Sequence, residues 1–362
     1  MLLCRDAKLV AKSTLCVISM LLSPIVTADD VFNKLDQKAT SLLQANPDFS
    51  GVVSVYSASD NRYEKHYSQG WADKKSSSKL TEDTVMDTGS VSKQFTGAAL
   101  VHLISNKNLT FDDKLGQILD DLAPHVANIT LHQLLTHTSG LTDRHGGDYE
   151  PVRLKDVIRF LNEQPLKFAP GSHQYTNMGY SLAAAVIEKV SGKTYEQYLR
   201  DAFFTPLEMS HTGYQLPGFS DTEVAQGYDG NETWGQSHKK NWDVDGPFWN
   251  LRGNGGILST AADMAKWLKA LHGSSVFNEE QKSVYFGKHV REYPDMESYY
   301  GYGWVVESLP GERRVIWHNG SNRIFTTDVR YYPEDDVIVI AMGNQSKQPV
   351  WEIAESLFQV MQ

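Results

Sequence analysis

The chain has 362 residues, 41% of them hydrophobic, and 34 Lys and Arg against 44 Asp and Glu give it a net charge of −10. That length buries a large core without covalent staples. The negative balance, with no basic tract, argues against nucleic acid and against anionic membrane surfaces as partners.

At the N-terminus, Arg5, Lys8 and Lys12 form a positive stretch, Leu15 to Val26 a short apolar run, and Val26-Thr27-Ala28 a small-residue end. This predicts a secretory signal peptide over residues 1–28, cut after Ala28. The apolar run falls short of the roughly 20 residues a membrane span needs. Cys16 follows Leu15 rather than a small residue, which argues against a lipoprotein cysteine. Removing residues 1–28 leaves 334 residues and, with three basic and one acidic side chain gone, a charge of −12. Cys4 and Cys16, the only two cysteines, leave with it. The exported part then has no disulfide, thiol nucleophile or cysteine metal site. A secreted or periplasmic protein with no stable membrane span follows.

Further along, Asp29 to Gln44 predicts an amphipathic helix with Val31, Leu35, Leu42 and Leu43 on one side. "SGVVSVYSA" and "RYEKHYSQGWA" predict two strands around a turn at Asp60 and Asn61. From about Ser90 to Gly253 the pattern is helices and long loops, among them "TLHQLLTHTSGL", "LKDVIRFLNEQ" and "YSLAAAVIEKVSG", the last closed by Gly192 as a C-cap. Thr260 and Asp263 in "GNGGILSTAADMAKWLKALHG" fit a capping box. Strands return in "YGYGWVVESL", "RRVIWHNG", "IFTTDVRYYP" and "DVIVIAMGN", and a helix runs from about Pro349 to Gln362. Residues 29–89 and 254–362 therefore read as one discontinuous α/β domain and 90–253 as a mostly helical insertion. The aromatics Trp234, Trp242, Phe248 and Trp249 either floor a pocket or pack half-buried.

Three short patterns carry chemistry. Ser-x-x-Lys occurs at Ser76–Lys79, Ser90–Lys93 and Ser237–Lys240. The first and third lie in polar, loop-like stretches and read as solvated surface. Only Ser90–Lys93, in "MDTGSVSKQFTGAALVHLI", opens an apolar helix, where residues three apart touch. An unpaired buried ammonium is costly, so Lys93 needs a partner or a task. To take a proton from Ser90, it must lower its pKa from ~10.4 by some units. A phenol nearby that shares the proton assists. The alternative is a plain helix cap with a snorkelling lysine.

Tyr-x-Asn occurs once, at Tyr175-Thr176-Asn177, in a loop leading into an apolar helix. Either Asn177 caps that helix and Tyr175 packs, or the phenol joins the serine–lysine pair as a proton relay with the Asn177 amide on lysine or substrate. His318-Asn319-Gly320 ends a strand followed by two more. Such a strand lays its edge along a substrate, with Gly320 allowing close approach. The similar string at His211 reads as a helix-ending loop.

"SVSK", "YTN" and "HNG", in that order, together with "LLTHTSGL" and "GNGGILSTAADMAKW", resemble the penicillin-recognising serine hydrolases. The likeness is to the group of class C β-lactamases, D-alanyl-D-alanine carboxypeptidases and related esterases, and covers nearly all of the exported chain. The resemblance implies an α+β fold, an antiparallel sheet between helices with a mostly helical domain beside it and the active site at their junction. It implies Ser90 as nucleophile forming an acyl-enzyme, Lys93 and Tyr175 sharing acid and base work, and Asn177 orienting substrate or Lys93. It also implies the backbone N–H groups of Ser90 and Ser321 as an oxyanion hole. Ser59-Asp60-Asn61 matches another known string of such enzymes but precedes Ser90, in a turn, and reads as coincidence.

The class C β-lactamases carry lysine where this chain has His318. Histidine, with an ordinary pKa near 6.5, is mostly neutral at pH 7 and holds a carboxylate less well. This weakens the case for penicillins, and since some peptidase and esterase members of the group carry histidine here, the resemblance points to an ester or a D-amino-acid peptide, small-molecule or peptidoglycan-peptide-like; His318→Lys is expected to favour carboxylate-bearing substrates. The alternatives are a β-lactamase and a non-catalytic penicillin-binding receptor. The twelve histidines show no zinc spacing and no dinucleotide fingerprint is present, so no cofactor is implied.

Overall fold

The structure is a computed structural model describing residues 28–106, 109–143 and 146–361. The signal-peptide reading and both cysteines fall outside the described residues, apart from Ala28, where the first helix begins. Eight strands form an antiparallel sheet: β1 (Gly51–Ser57), β2 (Glu64–Gln69), β3 (Val290–Arg291), β4 (Ser298–Tyr300), β5 (Val305–Ser308), β6 (Arg314–Ser321), β7 (Thr326–Tyr332) and β8 (Val337–Gly343). Their order is β2-β1-β8-β7-β6-β5-β4-β3. The N-terminal hairpin is thus welded to the last strand, with Val52 opposite Met342 and Val55 opposite Val339.

Side chains alternate across this sheet, and both faces are covered. Val53, Val55, Val339 and Ala341 pack against α1 (Ala28–Ala45) and α6 (Val350–Met361). Val52, Tyr56, Ile340 and Met342 join the larger core on the other face, with α2 (Lys93–Asn106), α4 (Asn177–Ser191) and α5 (Ala261–His272). Double coverage explains why the run from Val337 to Gly343 is apolar throughout rather than alternating. Between α2 and α4 lie α3 (Leu154–Glu163) and shorter helices, and a small hairpin pairs Gly227–Asp229 with Glu232–Gly235. Among the described residues, no helix is long and apolar enough to cross a membrane.

Several local expectations shift. The buried stripe of α1 is Phe32, Leu35, Ala39 and Leu43, with Val31 and Leu42 flanking it, because residues three and four apart share a helix face. Gly70, at φ +86°, breaks the predicted second strand; a Cβ there would sit 2.4 Å from the Ser50 hydroxyl. Gly192 does cap α4, at φ +72°. Thr260 accepts the Asp263 N–H, but the Asp263 carboxylate turns to the His211 N–H and the Thr212 hydroxyl, so only half of the capping box forms.

The stretch "YGYGWVVESL" holds the last residue of β4, Tyr300, then a tight turn, then β5. That turn rests on α2: a Cβ on Gly303 would lie 2.6 Å from the Lys93 carbonyl, and one on Gly97 would lie 2.1 Å from the Tyr302 carbonyl. The head of α2 is held between this turn and the segment around Gly253, whose carbonyl accepts the Thr96 hydroxyl.

Candidate active site

Ser90 sits on a single 3-10 turn, Gly89–Ser92, that feeds directly into α2 at Lys93. In that tighter turn positions three apart eclipse, which aligns the Ser90 and Lys93 side chains. The turn is pinned from below: the Ser92 hydroxyl donates to the Gly89 carbonyl at 2.7 Å and accepts the Ile257 N–H at 3.0 Å. The Thr88 hydroxyl donates to the Ile257 carbonyl at 2.8 Å.

Lys93 is fully buried. Its Nζ donates to the Asn177 Oδ1 at 2.7 Å, to the Asn254 carbonyl at 2.7 Å and to the Ser90 Oγ at 3.1 Å. A charged ammonium has three protons for these three acceptors. A neutral amine has two, and the Asn177 oxygen and Asn254 carbonyl accept only. Its lone pair is then left to Ser90, whose O–H donates into it.

The Tyr175 side chain is 39% exposed, and its ring centre lies 4.8 Å from the Lys93 nitrogen. Burial pushes the phenol above its ordinary pKa, while a hydrogen bond with Ser90 opposes the rise. Asn177 is the first residue of α4, not its cap: the cap position is Thr176, and the Asn177 N–H is held by Asp143 Oδ1 at 2.8 Å. Ser90, Lys93, Tyr175 and Asn177 thus converge on one point.

His318 and Gly320 lie on the same face of β6. Gly320 allows backbone contact, since a Cβ on it would sit 2.2 Å from the Thr88 carbonyl and 2.5 Å from the Ser90 nitrogen. Conversely, a Cβ on Gly89 would sit 2.5 Å from the Ser321 nitrogen. The amides of Ser90 and Ser321 are therefore brought together by two glycines facing each other. They border a narrow cleft of about 50 Å³, also lined by Asp87, Asn177, Leu251 and Asn322. Hollows of about 340 and 550 Å³ elsewhere on the surface hold none of the predicted residues.

The His318 side chain is engaged within the protein. Its Nε2 lies 2.9 Å from the Tyr300 hydroxyl and its Nδ1 2.6 Å from the Asn319 carbonyl. Burial, then the charge of Lys93, pushes its pKa down to about 3. A neutral ring donating from Nδ1 and accepting at Nε2 is already satisfied, so the predicted direct contact with a substrate is not what this geometry offers. Neither of the two other serine–lysine pairs forms a serine–lysine contact like that of Ser90 and Lys93, although the Ser237 hydroxyl accepts the Asn322 Nδ2 at 3.5 Å behind the cleft. Ser76 bonds Asp73 on the surface, whereas Ser237, expected to be solvated, is buried, and Lys240 caps the Trp234 carbonyl. Phe248 and Trp249 are buried packing residues and do not line the cleft.

Three contributors escaped the sequence reading. Asn254 acts through a backbone carbonyl, which no side-chain pattern reveals. Tyr300 orients His318. His137, in "LLTHTSGL", is buried at φ +58° and lays its ring 4.2 Å from that of Tyr175, with Nδ1 accepting the Thr176 N–H at 3.2 Å. His137 and Asn254 each fall in a string noted for its likeness, "LLTHTSGL" and "GNGGILSTAADMAKW".

Comparison with known proteins gives the family and the fold. The beta-lactamase family profile matches residues 35–356. Penicillin-binding protein 4* of Bacillus subtilis (strain 168) is 27% identical over 326 residues, covering 84% of this chain and 70% of that protein. Unguisins hydrolase ungD' of Aspergillus campestris (strain IBT 28561) is 28% identical over 295 residues, and the chain spans about half, 53%, of its length. The crystal structure of penicillin binding protein from Bacillus halodurans superposes with a TM-score of 0.75 at 27% identity, over 89% of this chain and 98% of that one.

Proposed function

The chain belongs to the beta-lactamase family, and from that premise we propose that it is an exported serine hydrolase acting through an acyl-enzyme on an ester or on a peptide ending in a D-amino acid. Ser90 is the nucleophile, and the observation that carries the reading is the hydrogen-bond set of Lys93. Two acceptor-only partners hold the amine so that its third direction meets Ser90.

In acylation, the Ser90 Oγ bonds to the substrate carbonyl carbon as its proton passes to Lys93, directly or through the Tyr175 phenol. The oxygen charge that develops falls to the backbone N–H groups of Ser90 and Ser321, an interaction often worth about 3–4 kcal/mol when one donor is lost. The C–O or C–N bond then breaks and the same proton goes to the leaving group. Water repeats the sequence on the acyl-enzyme and releases the acid. Tyr175, held protonated by burial, suits the role of relay and acid. Asn177, whose Oδ1 is taken by Lys93, has its Nδ2 to donate to the substrate. His318 acts as a neutral brace beneath the strand. The same reading keeps residues 1–28 as a leader and 90–253 as an inserted domain.

The name of the Aspergillus relative, a hydrolase, supports turnover rather than passive binding. Neutral His318 leaves this position of β6 without a cation for a substrate carboxylate, which supports an uncharged ester over penicillins. Steady-state assays with a short acyl ester, a D-Ala-D-Ala peptide and nitrocefin, each against Ser90→Ala, test this. Turnover of the ester or peptide above nitrocefin is expected. Dominant nitrocefin hydrolysis turns the assignment to β-lactamase, and no turnover of any of the three contradicts the enzyme reading.

A further inference from the structure

Asp87 is buried and belongs to neither the serine–lysine pair nor the sheet that carries His318. It ends the short strand Met86–Asp87, which pairs with Leu258–Ser259 and delivers the chain to the Gly89–Ser92 turn. One carboxylate oxygen, Oδ1, accepts the Gly89 N–H at 2.8 Å. The other, Oδ2, accepts the Asn322 Nδ2 at 2.9 Å, across 235 positions of sequence. Asn322 is itself fixed, because its Oδ1 accepts the N–H groups of Ile324 at 3.1 Å and Phe325 at 2.9 Å in the turn between β6 and β7.

The two segments so joined carry the two amides of the cleft. Ser90 follows Gly89, and Ser321 precedes Asn322. They touch through glycines whose missing side chains allow backbone contact at 2.5 Å from where a Cβ would stand. Glycine permits that approach but does not hold it, since Gly89, at φ +53°, has no side chain to fix the turn. We propose that Asp87 is a positioning residue that, by clasping Gly89 and Asn322 at once, sets the spacing of the Ser90 and Ser321 N–H groups. The inference rests on the reading of Ser90 as nucleophile.

The chemistry of the pair makes the clasp specific. Burial raises the Asp87 carboxyl above the usual range, and the donors opposing that rise are the Gly89 N–H, the Ser237 hydroxyl and the Asn322 amide. A carboxylate there needs both segments in place. Asp87→Asn keeps the shape but sets its Nδ2 against the Nδ2 of Asn322, donor facing donor. Asn322→Asp sets two carboxylates face to face. The swap D87N/N322D restores the bonds to Gly89, between positions 87 and 322, and to Ile324 and Phe325, and loses only the long 3.5 Å donation from position 322 to the Ser237 hydroxyl. Its amide at position 87 accepts from Gly89 and donates to the carboxylate at position 322, which still accepts from Ile324 and Phe325.

The test is a double-variant cycle on the full exported chain, reading kcat/KM for p-nitrophenyl acetate, the dissociation constant of an arylboronic acid that forms a tetrahedral adduct, and the melting temperature. Each single variant is expected to lose about 10²-fold in kcat/KM, mainly in kcat, with a parallel loss of boronate affinity. The swap is expected to regain at least about tenfold of both. Asn322→Ala, which removes the donor without adding a charge, is expected to lose the ester and boronate readouts together. Wild-type values in Asp87→Asn or Asn322→Ala, or a swap no better than the worse single variant, overturn the clasp alone. A wild-type chain that neither hydrolyses the ester nor binds the boronate overturns the hydrolase reading and the clasp with it.

Discussion

The Lys93 Nζ lies 3.1 Å from the Ser90 Oγ, with its two shorter bonds, both 2.7 Å, made to the Asn177 side chain and the Asn254 carbonyl. The inequality has a chemical consequence. The two short contacts are to groups that only accept, whereas the longer one is to a hydroxyl that both donates and accepts, so proton transfer in this trio has a single direction.

Lys93→Arg tests that direction. Arginine stays protonated and offers no lone pair. Loss of about 10²–10⁴-fold in kcat is expected, and a variant within a few-fold of wild type contradicts a lysine base.

Tyr175→Phe keeps the ring that packs 4.2 Å from the His137 ring and removes only the hydroxyl at Ser90. Activity is expected to fall by about 10²-fold or more with a nearly unchanged melting temperature. A fall in melting temperature matching the fall in activity makes Tyr175 a packing residue instead.

Gly320→Ala places a methyl 2.2 Å from the Thr88 carbonyl and 2.5 Å from the Ser90 nitrogen. Both are backbone atoms that cannot step aside, so the turn and β6 separate. Loss of about 10²–10³-fold in kcat/KM is expected, together with about 1–3 kcal/mol of stability from overpacking. Chemical denaturation beside the ester assay measures both.

His318 gives a pH prediction. Its pKa falls from the ordinary 6.5 to about 3 in the folded chain, so between those values the unfolded chain binds more protons. Stability from this group is intact above about pH 6.5 and lost as pH falls toward 3. His318→Gln is therefore expected to show a shallower fall in melting temperature from pH 7 to pH 4, and identical slopes contradict a buried neutral ring. The sequence-based expectation for His318→Lys reverses here. A second cation near Lys93, in a place where histidine is held neutral, is expected to lower turnover of every substrate.

Much of the site was legible in the sequence because its members differ from their surroundings. Lys93 stands out at the head of an apolar helix, and Tyr175-Thr176-Asn177 is a pattern found once. Six of the eight strands of the sheet were legible as strand-like segments, whereas β3 (two residues) and β4 (three residues) are too short to leave a pattern of their own. What the sequence hid was orientation. His318 was found as a residue, while its commitment to Tyr300 and Asn319 depends on how β6 sits in the sheet. Asn254 contributes a carbonyl, and the Asp87–Asn322 contact joins positions that only the folded chain brings together.

Mass spectrometry of the chain after reaction with a fluorophosphonate probe tests the central claim most directly. One adduct per chain is expected, mapped to the peptide carrying Ser90, absent from Ser90→Ala and formed far more slowly in Lys93→Arg. An adduct on another residue, or one that persists in Ser90→Ala, would contradict it.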